Sequence, residues 1–221
     1  MISFYTEFVN FLRYNVKPFL PLCILKQLNH RYTEADIEKW KQAGAIVPPP
    51  HFVKQHMILE YQRKFGYRIL IESGTFLGDM VEAQKDHFDK IISIELDNFL
   101  FRKATKRFKK YPHISIVKGD SGKILAEIMD DIQEPCLFWL DGHYSSGVTA
   151  RGEKDCPIFG ELNAIFSADQ KFNHILLIDD ARLFAGKAGY PHVEELTNFI
   201  KSKNENYQVE KKNDIISYTF P

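Results

Sequence analysis

A short apolar run that ends in an acid and two glycines is the first feature of this sequence that could do chemistry. In RILIESGTFLG, residues 68–78, Glu72 ends the run, and Gly74 and Gly78 follow it. Glycines let a backbone approach a ligand closely, and the first N–H groups of a following helix point at the same place. The segment therefore predicts a strand, loop and helix that form a cofactor cradle. The dinucleotide fingerprint does not apply, because Phe76 and Asp79 stand at its second and third glycine positions.

Two further apolar runs also lead to acids. Residues 90–96, KIISIEL, deliver Glu95 to the place where nucleotide-binding folds accept hydrogen bonds from ribose hydroxyls; the alternative is a solvated carboxylate that caps the next helix. The run at residues 114–117 is followed by Asp120 and Ser121. Asp120 is either a cofactor contact or the N-cap of the next helix, in which case Ser121 shares the capping. Because ligands collect at the carboxyl ends of parallel strands, we expect the three acids on one rim.

The spacing of Glu72, Gly74 and Gly78 resembles the first motif of class I S-adenosylmethionine-dependent methyltransferases, with Phe76 in place of the family's usual middle glycine. The resemblance implies a Rossmann-like α/β fold, with helices on both faces of a mostly parallel sheet of seven strands in the order 3-2-1-4-5-7-6. Several stretches, among them PPPHFVKQ and FWLDGHYSSGVTARGE, also resemble a group of bacterial-type proteins with this fold. The implied cofactor is S-adenosyl-L-methionine. Its contacts would be Glu72, Gly74, Thr75, Phe76, Gly78, Glu95, Asp120, Ser121 and Asp141.

Acids also follow the fourth and fifth predicted strands. Asp141 comes directly after residues 136–140, and Asp179 and Asp180 come after residues 175–178. Adjacent strand ends lie roughly 5 Å apart, so the three carboxylates can converge on one hard cation. This disposition resembles metal-dependent O-methyltransferases of the catechol and macrocin types, which implies that the three acids hold Mg²⁺ and that the ion makes a substrate hydroxyl easier to deprotonate. The alternative is that one acid of the pair caps a loop and Arg182 neutralises a partner.

Transfer of a methyl group to a hydroxyl needs a general base, and histidine suits this role because it titrates near neutral pH. His143, two residues after Asp141, is the expected base, and Asp141 is the second expected catalytic residue. In the catechol enzymes a lysine fills this role one residue further along, where this chain has Tyr144. The expected acceptor is therefore a small molecule or a sugar rather than specifically a catechol.

Residues 1–50 are predicted to be an N-terminal helical extension or lid, and residues 51–221 the methyltransferase-fold domain. Thr33 is expected to cap a short helix, and a longer helix is expected to end at Gly66. By the resemblance, His51, Lys54 and Gln55 would contact the carboxylate of the cofactor or the substrate. The other predicted elements are helices over residues 79–88, 99–110, 123–132 and 191–202 and a final hairpin around residues 213–214.

Composition narrows the partners. Lys plus Arg and Asp plus Glu both total 29, so no net charge recruits nucleic acid. Three cysteines without metal-type spacing favour a cytoplasmic protein. Charges and prolines interrupt the apolar first thirty residues, so no transmembrane segment is predicted there. That segment is expected to dock on the chain's own sheet or in a homodimer, with peripheral membrane contact as the alternative. The other open functions are a metal hydrolase, a nucleotide-sugar enzyme and a non-catalytic binding protein.

Overall fold

The structure, a computed structural model, describes residues 12, 16–21, 24, 33–142, 156–167, 172–187 and 189–221. Before the sheet it contains a 3₁₀ turn at Lys17–Phe19 and helices α1 (Glu34–Gln42) and α2 (His51–Phe65). The remaining elements, in chain order, are β1 (Ile69–Ser73), α3 (Asp79–Gln84), β2 (Lys90–Glu95), α4 (Asn98–Phe108), β3 (Ile114–Lys118), α5 (Ser121–Asp130), β4 (Cys136–Leu140), α6 (Ile158–Ser167), β5 (Ile175–Ile178), a 3₁₀ turn at Ala181–Leu183, α7 (Val193–Lys203), β6 (Gln208–Lys212) and β7 (Ile215–Thr219).

The described strands form one seven-stranded sheet in the order β3-β2-β1-β4-β5-β7-β6. Strands β1 to β5 pair in parallel, and β7 runs antiparallel to both of its neighbours, β5 and β6. The fold class and strand order expected from the sequence are therefore confirmed. Strand β1 lies between β2 and β4, with Glu72 level with Ser93 on one side and Trp139 on the other. The glycine loop after β1 thus leaves the middle of the sheet.

Helices cover both faces of the sheet. On one face, Leu70 and Trp139 pack with Met57 and Ile58 of α2. The opposite face packs strand residues such as Ile71 and Phe138 against α5, α6 and α7. Every residue of β1, β4 and β5 is buried. This explains why these strands read as continuous apolar runs rather than as alternating ones.

Local signals account for most helix ends. Thr33 and Asp36 form the capping box of α1, as its sequence predicts, and α2 ends at Gly66 in the left-handed conformation. Helix α3 ends at Gln84, shorter than the predicted range to residue 88, because the chain turns there to bury Phe88 and start β2. Helix α6 was not predicted. It packs against α5, with Gly122 and Gly160 facing each other closely.

Candidate functional site

The glycine loop brings the ends of β1 and β4 into contact. Gly74 has φ +87°, a left-handed conformation that L side chains rarely adopt. A Cβ atom added there would lie 3.0 Å from the carbonyl carbon of Asp141 and closer still to its oxygen. These neighbours are backbone atoms and cannot rotate away. Gly74 is therefore required for the close approach of the two strand ends.

The rest of the loop explains how the chain accommodates Phe76 where the resembled motif has glycine. Phe76 itself adopts a left-handed φ of 49°, and its N–H donates to Glu95 Oε2 over 2.7 Å. Gly78 precedes α3 at φ +76°, where a Cβ would lie 2.5 Å from the Phe108 ring. Thr75 is buried and shares a 2.5 Å hydrogen bond with the Ser93 hydroxyl. Hydrogen bonds from Thr75 and Phe76 to residues of β2 therefore stabilise the loop, although it lacks the middle glycine of the resembled motif.

Glu72 and Glu95, on neighbouring strands, are both almost fully buried. The Ser93 hydroxyl donates to Glu72, and burial, followed by repulsion from Asp141 and Glu95, raises the pKa of Glu72 well above its usual range. Glu95 accepts from the N–H groups of Phe76 and of Asp97, at 2.7 and 2.8 Å. Burial nevertheless raises the pKa of Glu95 to about 7. This carboxylate fixes the loop, and its predicted ribose contact would be an additional role.

Asp120 and Ser121 lie at the end of β3. The side chain of Asp120 accepts from the N–H of Gly122 over 3.0 Å, so it caps α5, one of its two expected roles. The Ser121 hydroxyl donates to Glu161 Oε1 over 2.6 Å. Glu161 was not among the predicted site residues, although a single acid in the otherwise apolar start of α6 is a signal for a buried partner.

Five of the expected cofactor contacts line one cleft. They come from the ends of β1 and β4, and residues from α2 and α3 complete the wall. The cleft is lined by His51, Glu72, Gly74, Thr75, Phe76, Asp79, Met80, Trp139 and Asp141. The arrangement thus brings the glycine loop and Asp141 to a single concave site.

Asp141, Asp179 and Asp180 form the acidic cluster, as expected from their strand ends. Each offers an oxygen atom within 4.8 Å of the others. Asp180 adopts a left-handed φ of 55°, and the Asp179 carboxylate accepts from the N–H of Asp180 over 2.7 Å. The backbone therefore turns sharply after β5, which directs both acids to the same place.

Lys54 of α2 enters this cluster. Its ammonium contacts the Asp179 carboxylate and lies 3.2 Å from Asp180 Oδ1. Burial alone would lower the pKa of Lys54, but attraction to Asp179, Asp141 and Asp180 outweighs it and raises the pKa above its usual range. Burial and repulsion by Asp141 raise the pKa of Asp179, in spite of Lys54. The structure therefore places Lys54 against the acidic cluster.

Arg182 extends the ionic network, as one of the alternatives anticipated. It lies 2.8 Å from Asp180 Oδ1 and also contacts the Asp214 carboxylate. Three clustered carboxylates fit the hard-oxygen preference of Mg²⁺, but Lys54 already contacts two of them. Asp141, Asp179 and Asp180 are the described residues whose oxygen atoms could hold a divalent cation.

His143, the expected base, and Tyr144 lie outside the described residues. Of the other two residues expected beside Lys54, His51 lines the cleft, and Gln55 donates to the Asp79 carbonyl over 3.2 Å. The described part of the N-terminal segment docks on the chain itself. Lys17 contacts Asp79 at 2.5 Å, and Lys103 donates to the Leu20 carbonyl over 2.7 Å. In the described part of the chain, no helix has the length and apolar character needed to cross a membrane.

No family model matches this chain, and no curated protein matches its sequence. Solved structures do match. The SAH-bound methyltransferase PaMTH1 of Podospora anserina is 14% identical with a TM-score of 0.57, over 90% of this chain and 93% of that one. An O-methyltransferase of Bacillus cereus in complex with SAH is 10% identical with a TM-score of 0.55, over 89% and 95%. This chain therefore has the Rossmann-like methyltransferase fold.

Proposed function

We propose that the protein is an S-adenosylmethionine-dependent methyltransferase that methylates a hydroxyl group of a small molecule or sugar. The observation that carries this proposal is the cleft in which the Gly74 loop, Glu72 and Asp141 meet at the centre of a methyltransferase-type sheet. The neighbours named as SAH-bound methyltransferases have the same fold and support the cofactor. The acidic cluster beside the cleft supports the hydroxyl acceptor, since clustered carboxylates suit a metal-assisted O-methyltransferase.

The cofactor would lie against the glycine loop. Gly74, Thr75 and Phe76 would contact the amino-acid part of the cofactor, and Glu72 would lie beside that part. Glu95 would accept hydrogen bonds from the ribose hydroxyls, and the Asp120 and Ser121 region would lie near the adenine. Methyl transfer is an in-line displacement, so the main contribution of these residues is to hold the donor and the acceptor in line and to exclude water.

The acceptor would lie beside Asp141, Asp179 and Asp180, which would hold Mg²⁺ in the manner of the catechol and macrocin enzymes. When bound there, the ion lowers the pKa of a coordinated hydroxyl and orients it. His143 would accept the proton of that hydroxyl. The position of Asp179 supports its role as a ligand, because it offers an oxygen atom within 4.8 Å of oxygen atoms of Asp141 and Asp180.

Calorimetric titration with S-adenosylmethionine and S-adenosylhomocysteine, with and without Mg²⁺, tests the proposal. We expect S-adenosylmethionine and S-adenosylhomocysteine both to bind. We also expect methylation of a hydroxyl acceptor to require the metal. Asp179→Asn should leave cofactor affinity nearly unchanged and abolish turnover, whereas Asp130→Asn, an exposed acid on α5, should behave as the wild type. Affinity for a nucleotide or nucleotide sugar without affinity for either cofactor form would refute the assignment. If the cofactor binds and turnover does not depend on metal, the Mg²⁺ assignment alone is refuted.

A further inference from the structure

Lys54 reaches the acidic cluster from a helix that cannot easily move away. It is the fourth residue of α2, and its neighbours Val53, Met57 and Ile58 are fully buried against the sheet. Lys54 itself is only 8% exposed, although lysine is almost never buried without a partner. The backbone of α2 is therefore fixed by packing, and only the flexible side chain of Lys54 can enter or leave the cluster.

The charges around Lys54 show why it is there. Arg182 pairs with Asp180 and Asp214, but it forms no ion pair with Asp179. Over the described ranges, the ion pair with Lys54 is the one that neutralises Asp179, which is 1% exposed. An unpaired buried carboxylate carries a large desolvation cost. Lys54 therefore does for Asp179 what a bound cation would otherwise do.

We propose that the Lys54 ammonium is the built-in cation of this cluster, so that a divalent cation binds only by displacing it. An ammonium and a divalent ion cannot both contact the Asp179 and Asp180 carboxylates without strong mutual repulsion. Lys54 thus lowers the affinity of the cluster for metal, and it neutralises the charge of the Asp179 carboxylate in the metal-free protein. The inference deepens the proposed function, because it rests on a divalent ion acting at these three acids.

Direct binding of Mn²⁺, followed by the electron paramagnetic resonance signal of the free ion, tests this competition without substrate or turnover. Lys54→Met removes the charge at nearly constant length, Lys54→Gln retains hydrogen-bond donors, and Lys54→Arg retains the charge. Lys64→Met changes an exposed lysine on the same helix and serves as the control. We expect Mn²⁺ to bind Lys54→Met and Lys54→Gln at least about tenfold more tightly than the wild type, and Lys54→Arg and Lys64→Met about as the wild type does.

Mn²⁺ affinity in the two neutral variants that equals or falls below the wild-type affinity would overturn the proposal, as would the absence of saturable binding in every variant. Should Lys54→Met not fold, Lys54→Gln carries the same comparison. Titration of the same proteins with S-adenosylhomocysteine separates the two proposals. Normal cofactor binding with unchanged Mn²⁺ affinity would refute only the role of Lys54, whereas loss of cofactor binding in the wild type would refute the proposed function.

Discussion

Replacement of Gly74 by alanine tests the contact between the ends of β1 and β4. An alanine at φ +87° pays about 1–2 kcal/mol for the left-handed conformation. Its Cβ would also lie 3.0 Å or less from backbone atoms of Asp141, and the shift needed to relieve that overlap costs about 1–3 kcal/mol more. Together, Gly74→Ala should lower the free energy of unfolding by about 2–5 kcal/mol, which lowers Tm by roughly 5–20 °C in a chain of this size.

Gly189→Ala provides a matched control. Gly189 has a similar φ of +82°, but a Cβ there would meet no atom of the described residues within 4 Å. It should therefore cost only the conformational part, about 1–2 kcal/mol. The difference between the two variants, measured by urea unfolding followed by circular dichroism, isolates the overlap with Asp141.

The same pair of variants reports on the cleft. Because Gly74→Ala must displace the glycine loop, it should weaken S-adenosylhomocysteine binding by about tenfold or more, while Gly189→Ala should leave the affinity unchanged. Equal stabilities and equal affinities for the two variants would show that the strand ends are not in contact, and the reasoning that places Asp141 beside the loop would fail.

Three further variants test buried ionisable side chains. In the wild type we expect the affinity for S-adenosylhomocysteine to rise as the pH increases through about 7, where the Glu95 carboxyl ionises. Glu95→Gln should abolish this rise, and calorimetric titration across that pH range checks it. Arg107→Met should lower the free energy of unfolding by about 3 kcal/mol in urea, because Arg107 donates to the Leu77 carbonyl and to Asp79. Burial lowers the pKa of His174 from 6.5 to about 4, so stability should fall as pH falls through that range, and less steeply in His174→Asn, as urea midpoints would show.

The sequence predicted the sheet well because its central strands are buried on both faces. Such strands are continuous apolar runs, and the acids or glycines that end them mark where the chain leaves the core. The meeting of Asp141, Asp179 and Asp180 followed from the same reasoning, since neighbouring parallel strands end at one edge. The role of Asp120 could not be decided in this way, because an N-cap and a ligand contact require the same residue type at the same position.

Contacts between elements that are distant along the chain could not be predicted from the sequence. Lys54 and Asp179 are 125 positions apart, and nothing in either segment specifies the other as a partner. The lysine was predicted to lie near the cofactor carboxylate or the substrate because it begins a helix over the site. Which side of that helix faces the sheet depends on the packing of Met57 and Ile58, a tertiary property. Helix α6 was missed although its sequence carried a signal: Ile158, Leu162 and Ile165 recur at helical spacing and are buried.

The position of Lys54 changes how the N-terminal helices relate to the site. A lid that only covers a cleft could be removed without altering the charge of the groups beneath it. Helix α2 instead supplies Lys54 as the ion-pair partner of Asp179, directly after β5, and it supplies His51 to the cleft wall. Loss of α2 would remove the ion pair that Lys54 forms with Asp179, the one that neutralises this acid among the described residues. A cation that binds Asp179 and Asp180 would therefore replace their interaction with Lys54 of α2, so occupancy of the cluster and the position of this side chain are energetically linked.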